Sequence, residues 1–217
     1  MKYREFSNVG WKVSEIGIGC WAIGSEWGDV SPENAKDALF TSLDNGVNFF
    51  DTADVYGDGR SEKFISEILK NTKEKIYVAT KAGRRLDPHV SEGYNLNNIE
   101  AFIDRSLLNL GIDTIDLLQL HCPPSDICGK SETYEMMDEI VKKGKIKYYG
   151  VSVEKVSEAL DAIKFSNVKS IQIIFNIFRQ KPNEIFFKEA KKNNVAIIVR
   201  VPLASGLLTG KMNLNSS

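Results

Sequence analysis

The chain has 217 residues, of which 42% are hydrophobic and 26% charged, and 28 basic against 29 acidic side chains leave a formal net charge of -1. Such a chain can bury a core large enough to offset its ordering entropy, which excludes disorder, and its balanced charge excludes a polybasic nucleic-acid binder. The charged start Met1 to Phe6 and the interruption of the last apolar run by Arg200 argue against a signal peptide or a membrane span, and three cysteines without a C-x-x-C pair fit reduced thiols in a cytoplasmic protein with no metal site.

Residues 3–6 and 11–14, either side of Asn8-Val9-Gly10, read as a β-hairpin. Seven strand-like runs follow, at 15–19, 47–51, 76–81, 115–121, 146–151, 170–176 and 195–201, each continuously apolar as expected when both faces of a parallel sheet are covered. Amphipathic stretches separate them. Ser31-Pro32-Glu33 has the form of a helix start, and Gly46, Gly111 and Gly144 fall where left-handed C-caps are wanted. A helix over 99–110 follows a long polar loop at 87–98, and a loop at 202–211 and a polar tail at 212–217 come after the seventh strand. From the second strand onward, successive strand ends lie 30, 40, 30, 25 and 25 residues apart, the rhythm of βα units. An open doubly wound sheet shares that rhythm. The hairpin at 1–14, which could plug one end, tips the reading to a single (β/α)8 TIM barrel domain over 1–217 with its eighth βα unit absent from this sequence.

Ionisable residues collect at the strand ends, where active sites of parallel α/β proteins lie: Asp51, Lys81 and His121 end three consecutive strands, and Tyr56 follows Asp51 by five. Each alone has a structural explanation, as a cap, a solvated partner or a packed ring. Together they make a carbonyl-reducing set, with Tyr56 as proton donor, Lys81 lowering its pKa from about 10, Asp51 neutralising the lysine and His121 hydrogen-bonding an oxygen. A lysine at a barrel strand end can also be a nucleophile, so a Schiff-base lyase through Lys81 stays open. A third reading is a truncated barrel that is non-catalytic or depends on a partner chain, with weak cofactor binding. Gly17-Ile18-Gly19-Cys20-Trp21-Ala22 imitates the dinucleotide fingerprint, but Gly24, Trp27 and Gly28 intervene before the helix cap at Ser31, so no helix N-terminus meets the glycines.

Asp51-Thr52-Ala53-Asp54-Val55-Tyr56-Gly57, with Gly59 and Ser61-Glu62, resembles the D-T-A-x-x-Y-G-x-G-x-S-E pattern of the aldo-keto reductases. Ala79-Thr80-Lys81, Asp116-Leu117-Leu118-Gln119-Leu120-His121, Gly150-Val151-Ser152, the run 172–176 and the loop 202–211 are similar to later family segments, in the family's order. The resemblance implies NAD(P)H-dependent reduction of small-molecule aldehydes and ketones, with NADP(H) favoured over NAD(H). It carries catalytic roles onto Asp51, Tyr56, Lys81 and His121. It gives Ser152 and Gln172 to the nicotinamide carboxamide and Arg200 to the ring. Pro202, Leu203, Ser205, Gly206, Leu208 and Lys211 go to the pyrophosphate loop, and Trp21 to the substrate pocket. Three departures stand out: Val153 in place of a frequent Asn, Arg200 in place of a frequent stacking Tyr, and a sequence that stops before the segment gripping the adenine. Open edges at the first and last strands make association with another chain an expectation too.

Overall fold

The computed structural model describes residues 1–24 and 30–212, so expectations resting on Trp27, Gly28 and the tail beyond Met212 lie outside the described residues. The chain opens with an antiparallel hairpin of β1 (Tyr3–Phe6) and β2 (Trp11–Ser14), in which Phe6 faces Trp11. A parallel sheet follows: β3 (Ile18–Gly19), β4 (Phe49–Asp51), β5 (Tyr77–Ala82), β6 (Ile115–His121), β7 (Ile146–Ser152), β8 (Val168–Ile174) and β9 (Ala196–Arg200), each paired with the next in chain order. Between them run α1 (Pro32–Asp44), α2 (Arg60–Asn71), α3 (Leu96–Leu110), α4 (Ser131–Lys142), α5 (Val156–Ala162), α6 (Lys181–Glu184) and α7 (Phe186–Lys192).

Local chemistry explains the boundaries. Ser31 Oγ accepts the Asn34 N–H at 3.2 Å with Pro32 in the first helical position, and Gly111, at φ +65°, closes α3 in the left-handed region. The first parallel strand is shorter than the run 15–19, because the Glu15 N–H bonds back to the Lys2 carbonyl and Ser14 Oγ to the Ile16 carbonyl. The second begins at Phe49 because the Asn48 side chain turns to the hairpin, donating to the Lys12 carbonyl and accepting from the Ser14 N–H. The loop at 87–98 is cut short by Asn95, whose side chain accepts the Asn98 N–H and starts α3 at Leu96.

One hydrogen bond decides between the barrel and the open sheet. Gln172 of β8 donates from Nε2 to Asp51 Oδ1 of β4 at 2.9 Å. Those strands are four steps apart in the sheet order, and a flat sheet spaced at about 4.8 Å per step would hold them roughly 19 Å apart. The sheet therefore curls round on itself, as in the (β/α)8 fold, with seven of the eight units in this sequence.

The core has two parts. Between sheet and helices lie Leu39, Ile65, Ile103, Met137 and Ile171, all fully buried. Inside the curl, Phe6, Trp11 and Val13 of the hairpin pack on Phe49, Ala79 and Leu117. Trp11 stacks on Tyr77 at 4.7 Å and meets the Tyr148 ring edge-on at 5.1 Å. The hairpin thus covers the N-terminal ends of the strands and leaves the C-terminal ends open. Among the described residues no helix is long and apolar enough to cross a membrane.

Candidate active site

At that open mouth the chain places Asp51 at the end of β4, Lys81 next to the end of β5 and His121 at the end of β6. Tyr56 sits on the turn after β4. Gly57 lets that turn close: it has φ +58°, and a Cβ there would lie 2.1 Å from the Gly24 carbonyl oxygen.

Lys81 is 1% exposed and donates from Nζ to Asp51 Oδ2 at 2.8 Å, to the Thr52 carbonyl at 2.7 Å and to the Tyr56 hydroxyl at 3.5 Å. The Tyr56 and His121 rings meet edge to face, with centroids 5.9 Å apart. All four expected residues are therefore together. One expectation about them is corrected. Burial pushes the Tyr56 phenol above its ordinary value; Lys81 pulls it down but is outweighed, and Asp51 adds to the rise. Lys81 itself is pulled toward its neutral form by burial, yet Asp51 and Tyr56 more than reverse this and its pKa rises. His121 is held well below the usual histidine range by burial and then by Lys81, Arg84, Arg200 and His89, so its ring is neutral at pH 7. A charged, fully buried lysine gripped by a carboxylate is the opposite of a Schiff-base nucleophile, which needs a depressed pKa and access to substrate.

Asp51 is held from more sides than the four residues suggest. Its Oδ1 accepts from Gln172 Nε2 at 2.9 Å and from Gln119 Nε2 at 3.1 Å, while Oδ2 takes Lys81. Gln119 had no assigned role in the sequence. Its signal was an amide set among Leu117, Leu118 and Leu120, two residues before His121 and so on the same face.

The expected cofactor residues divide into two groups. Ser152 Oγ donates to Gln172 Oε1 at 3.2 Å, and Gln172 in turn bonds Asp51, so the carboxamide pair adjoins the catalytic group. Arg200 lies beside them: its Nη2 donates to the Val153 carbonyl at 3.1 Å and approaches Cys122 Sγ at 3.8 Å, while its buried Nε finds no partner among the described residues. An orphaned guanidinium donor beside the Gln172 amide and the Ser152 hydroxyl fits a planar group rich in acceptors, such as a nicotinamide. Pro202, Leu203, Ser205, Gly206, Leu208 and Lys211 lie farther along the loop after β9, with mostly exposed side chains. Their backbone is unusual: Val201, Ala204, Ser205 and Gly206 all have positive φ, and the loop is tied to the barrel by Asn176 Nδ2 donating to the Val201 carbonyl. Among the described residues no hydrogen bond or ion pair joins residues 202–211 to the catalytic four. Trp21 stands at the mouth, 43% exposed.

The aldo/keto reductase family model matches residues 15–217. The chain belongs to the aldo/keto reductase family. It is 34% identical over 215 residues to the Bacillus subtilis oxidoreductase YqkF, covering 97% of this chain and 68% of that protein. To the Schizosaccharomyces pombe aldo-keto reductase yakc [NADP(+)] it is 32% identical over 210 residues, covering 91% of this chain and 60% of the relative. The holo form of a Bacillus halodurans aldo-keto reductase superposes with a TM-score of 0.86 at 30% identity, covering the whole of this chain and 72% of that one. The chain thus spans about two thirds of the length of these family members.

Proposed function

We propose that this aldo/keto reductase chain carries the catalytic half of an NAD(P)H-dependent reduction of aldehydes or ketones to alcohols. The observation behind the proposal is the chain of contacts Asp51, Lys81, Tyr56, with the His121 ring set against Tyr56. A reduced nicotinamide, when bound, supplies the hydride.

Tyr56 holds its proton at neutral pH as any phenol does, burial holding it more tightly still, and it gives that proton to the carbonyl oxygen as charge develops there. The buried ammonium of Lys81, next to the hydroxyl, stabilises the phenolate left behind, and Asp51 holds the ammonium in place. Neutral His121 can hydrogen-bond the carbonyl oxygen without competing as an acid and so orients it beside Tyr56. Ser152 and Gln172 would hold the nicotinamide carboxamide, with the Arg200 guanidinium against the ring. Ser205, Leu208 and Lys211 would take the pyrophosphate on a loop shaped by Pro202, Leu203 and Gly206. Trp21 would wall the substrate pocket. NADP(H) is favoured over NAD(H), in line with the NADP(+) in the name of the yakc relative.

Tyr56→Phe tests this reading. The variant keeps the ring and loses only the hydroxyl, so the circular dichroism spectrum should be unchanged while aldehyde-dependent NADPH consumption falls on the order of 100- to 10,000-fold. A folded variant that retains more than about a tenth of the wild-type rate removes Tyr56 as the proton donor.

A further inference from the structure

A cleft of about 270 Å³ is walled by the segments that follow β5, β6 and β7, and it adjoins the site through Cys122, whose Sγ lies 3.8 Å from Arg200 Nη2 and 3.7 Å from Ser152 Oγ. Cys122, the next residue after His121, lines it together with Arg84, His89, Ser125, Lys155 and Glu158. That volume sits at the small end of ligand pockets and suits a short chain rather than a polycyclic ligand.

The charges in the wall are not equally available. Lys155 donates to Ser125 Oγ at 3.0 Å and lies 3.5 Å from Glu158. Glu158 also accepts from the Ser125 hydroxyl and from the N–H groups of Glu154 and Lys155. That pair satisfies itself. Glu154 is exposed on the segment after β7 and is not among the leading charges felt at His121. His89 Nε2 is bonded to the Tyr94 hydroxyl at 2.8 Å. Arg84, an exposed side chain in the cleft wall, forms no hydrogen bond or ion pair with any described residue, and its charge is felt at His89, Tyr94 and His121. Lys81 is matched by Asp51, and Arg200 is bonded only to neutral acceptors. The carbonyl position beside His121 therefore lies among cations, of which Arg84 is the one with its whole fork uncommitted.

We propose that this cleft receives the tail of the carbonyl substrate and that the tail ends in a carboxylate held by Arg84, which makes short oxo acids the preferred substrate class. The inference rests on the reading of Tyr56, Lys81, Asp51 and His121 as a carbonyl-reducing site. One uncommitted guanidinium matches one negative charge in a bidentate geometry, and a phosphate dianion would need a second cation, which Lys155 is not free to supply.

The test compares kcat/KM for 4-oxobutanoate and for uncharged butanal in the wild-type chain, Arg84→Gln and Arg84→Lys. Wild type should prefer the carboxylate roughly 10- to 100-fold, Arg84→Gln should bring the ratio close to one, and Arg84→Lys should restore part of it. A wild-type ratio near one, or a ratio that Arg84→Gln leaves unchanged, overturns the assignment. If neither aldehyde is reduced by any variant, the carbonyl-reductase reading is what fails, and the subsite is judged by binding alone. Ligand-observed NMR with 4-hydroxybutanoate and 1-butanol, without cofactor, should then show saturable binding of the anion to wild type that is lost in Arg84→Gln. Equal binding of both alcohols, binding unaffected by the substitution, or no binding of the anion to wild type refutes it.

Discussion

Asp54 lies two residues before the proposed proton donor, fully buried, and neither of its carboxyl oxygens makes a hydrogen bond of ordinary geometry. Arg85 Nε is 3.4 Å from Oδ2, and the fully buried Glu62 stands on the adjoining helix α2. Burial first, and then the charge of Glu62, push the Asp54 carboxyl from its ordinary 3.8 up to about 7, against the pull of Arg85, the Val55 N–H and Arg105. A carboxyl that binds its proton more tightly when folded contributes stability below the unfolded value and loses it as pH rises through the folded one. Between about pH 4 and pH 7 the native chain keeps the proton that the unfolded chain has released, so stability should fall by about 1.4 kcal/mol per pH unit, on the order of 4 kcal/mol in all. Against the 5 to 15 kcal/mol typical of a folded domain, that is a large fraction. Asp54→Asn keeps the side-chain shape and removes the titration. Urea unfolding of both proteins, followed by circular dichroism at intervals from pH 4.5 to 8.5, should give a difference in stability that grows in favour of the variant up to about pH 7 and is flat beyond. Any fixed cost of placing the amide next to Arg85 offsets that curve without changing its shape. Parallel pH profiles for the two proteins would refute the reasoning.

Gln119→Leu removes one of the two amide donors on Asp51 Oδ1, and kcat for aldehyde reduction should fall about 10-fold with its pH profile displaced, since a hydrogen bond to a charged group is at stake; an unchanged profile in a folded variant would dispose of a positioning role. Gly150→Ala would put a Cβ 2.1 Å from Ser170 Oγ and 2.4 Å from the Ser170 carbonyl oxygen, where β7 and β8 change register, so a loss of about 3 kcal/mol or outright failure to fold is expected in a thermal melt. Lys81→Met should cut the reduction rate steeply and also lower the thermal midpoint, because removing one partner of a buried pair leaves the Asp51 carboxylate and the Thr52 carbonyl without their cation, a cost on the order of 3 kcal/mol; an unchanged melt would show that the pair serves the chemistry alone.

The sequence carried the strand order and the four site residues because both are local signals: β6 runs from Ile115 to His121, the limits of its apolar run, and Asp51, Tyr56, Lys81 and His121 stand at strand ends or just past them. What was not legible depends on contacts across the barrel. The curl was expected from the hairpin and not from periodicity, and the contact that holds it, Gln172 reaching Asp51 across 121 positions, left no local sign. The phenol of Tyr56 titrates above its ordinary value rather than below it because burial outweighs the lysine, and the depth of burial appears only once the mouth is assembled. Gln119 looked like a polar interruption until its neighbour across the lumen was known. Arg84 and His89 gave no sign for the same reason, since they matter only through the wall they share with Cys122 and Lys155.

The hairpin of β1 and β2 leaves the ribosome early, but its partners are spread along the rest of the chain: Phe49, Ala79 and Leu117 and, on the last strand, Ala196 and Ile198. Ser7 also bonds the Asn194 carbonyl, just before β9. At 5 to 20 residues per second, roughly ten to forty seconds separate the synthesis of Trp11 from that of its last neighbours. A two-stranded ribbon is at best marginally stable alone in water, so through that interval the aromatic face of Phe6 and Trp11 stays exposed. Nascent-chain chaperones that hold apolar segments have their longest opportunity at these first fourteen residues, and the rim that gathers Asp51, Lys81 and Gln172 is secured from below only when translation has passed residue 198.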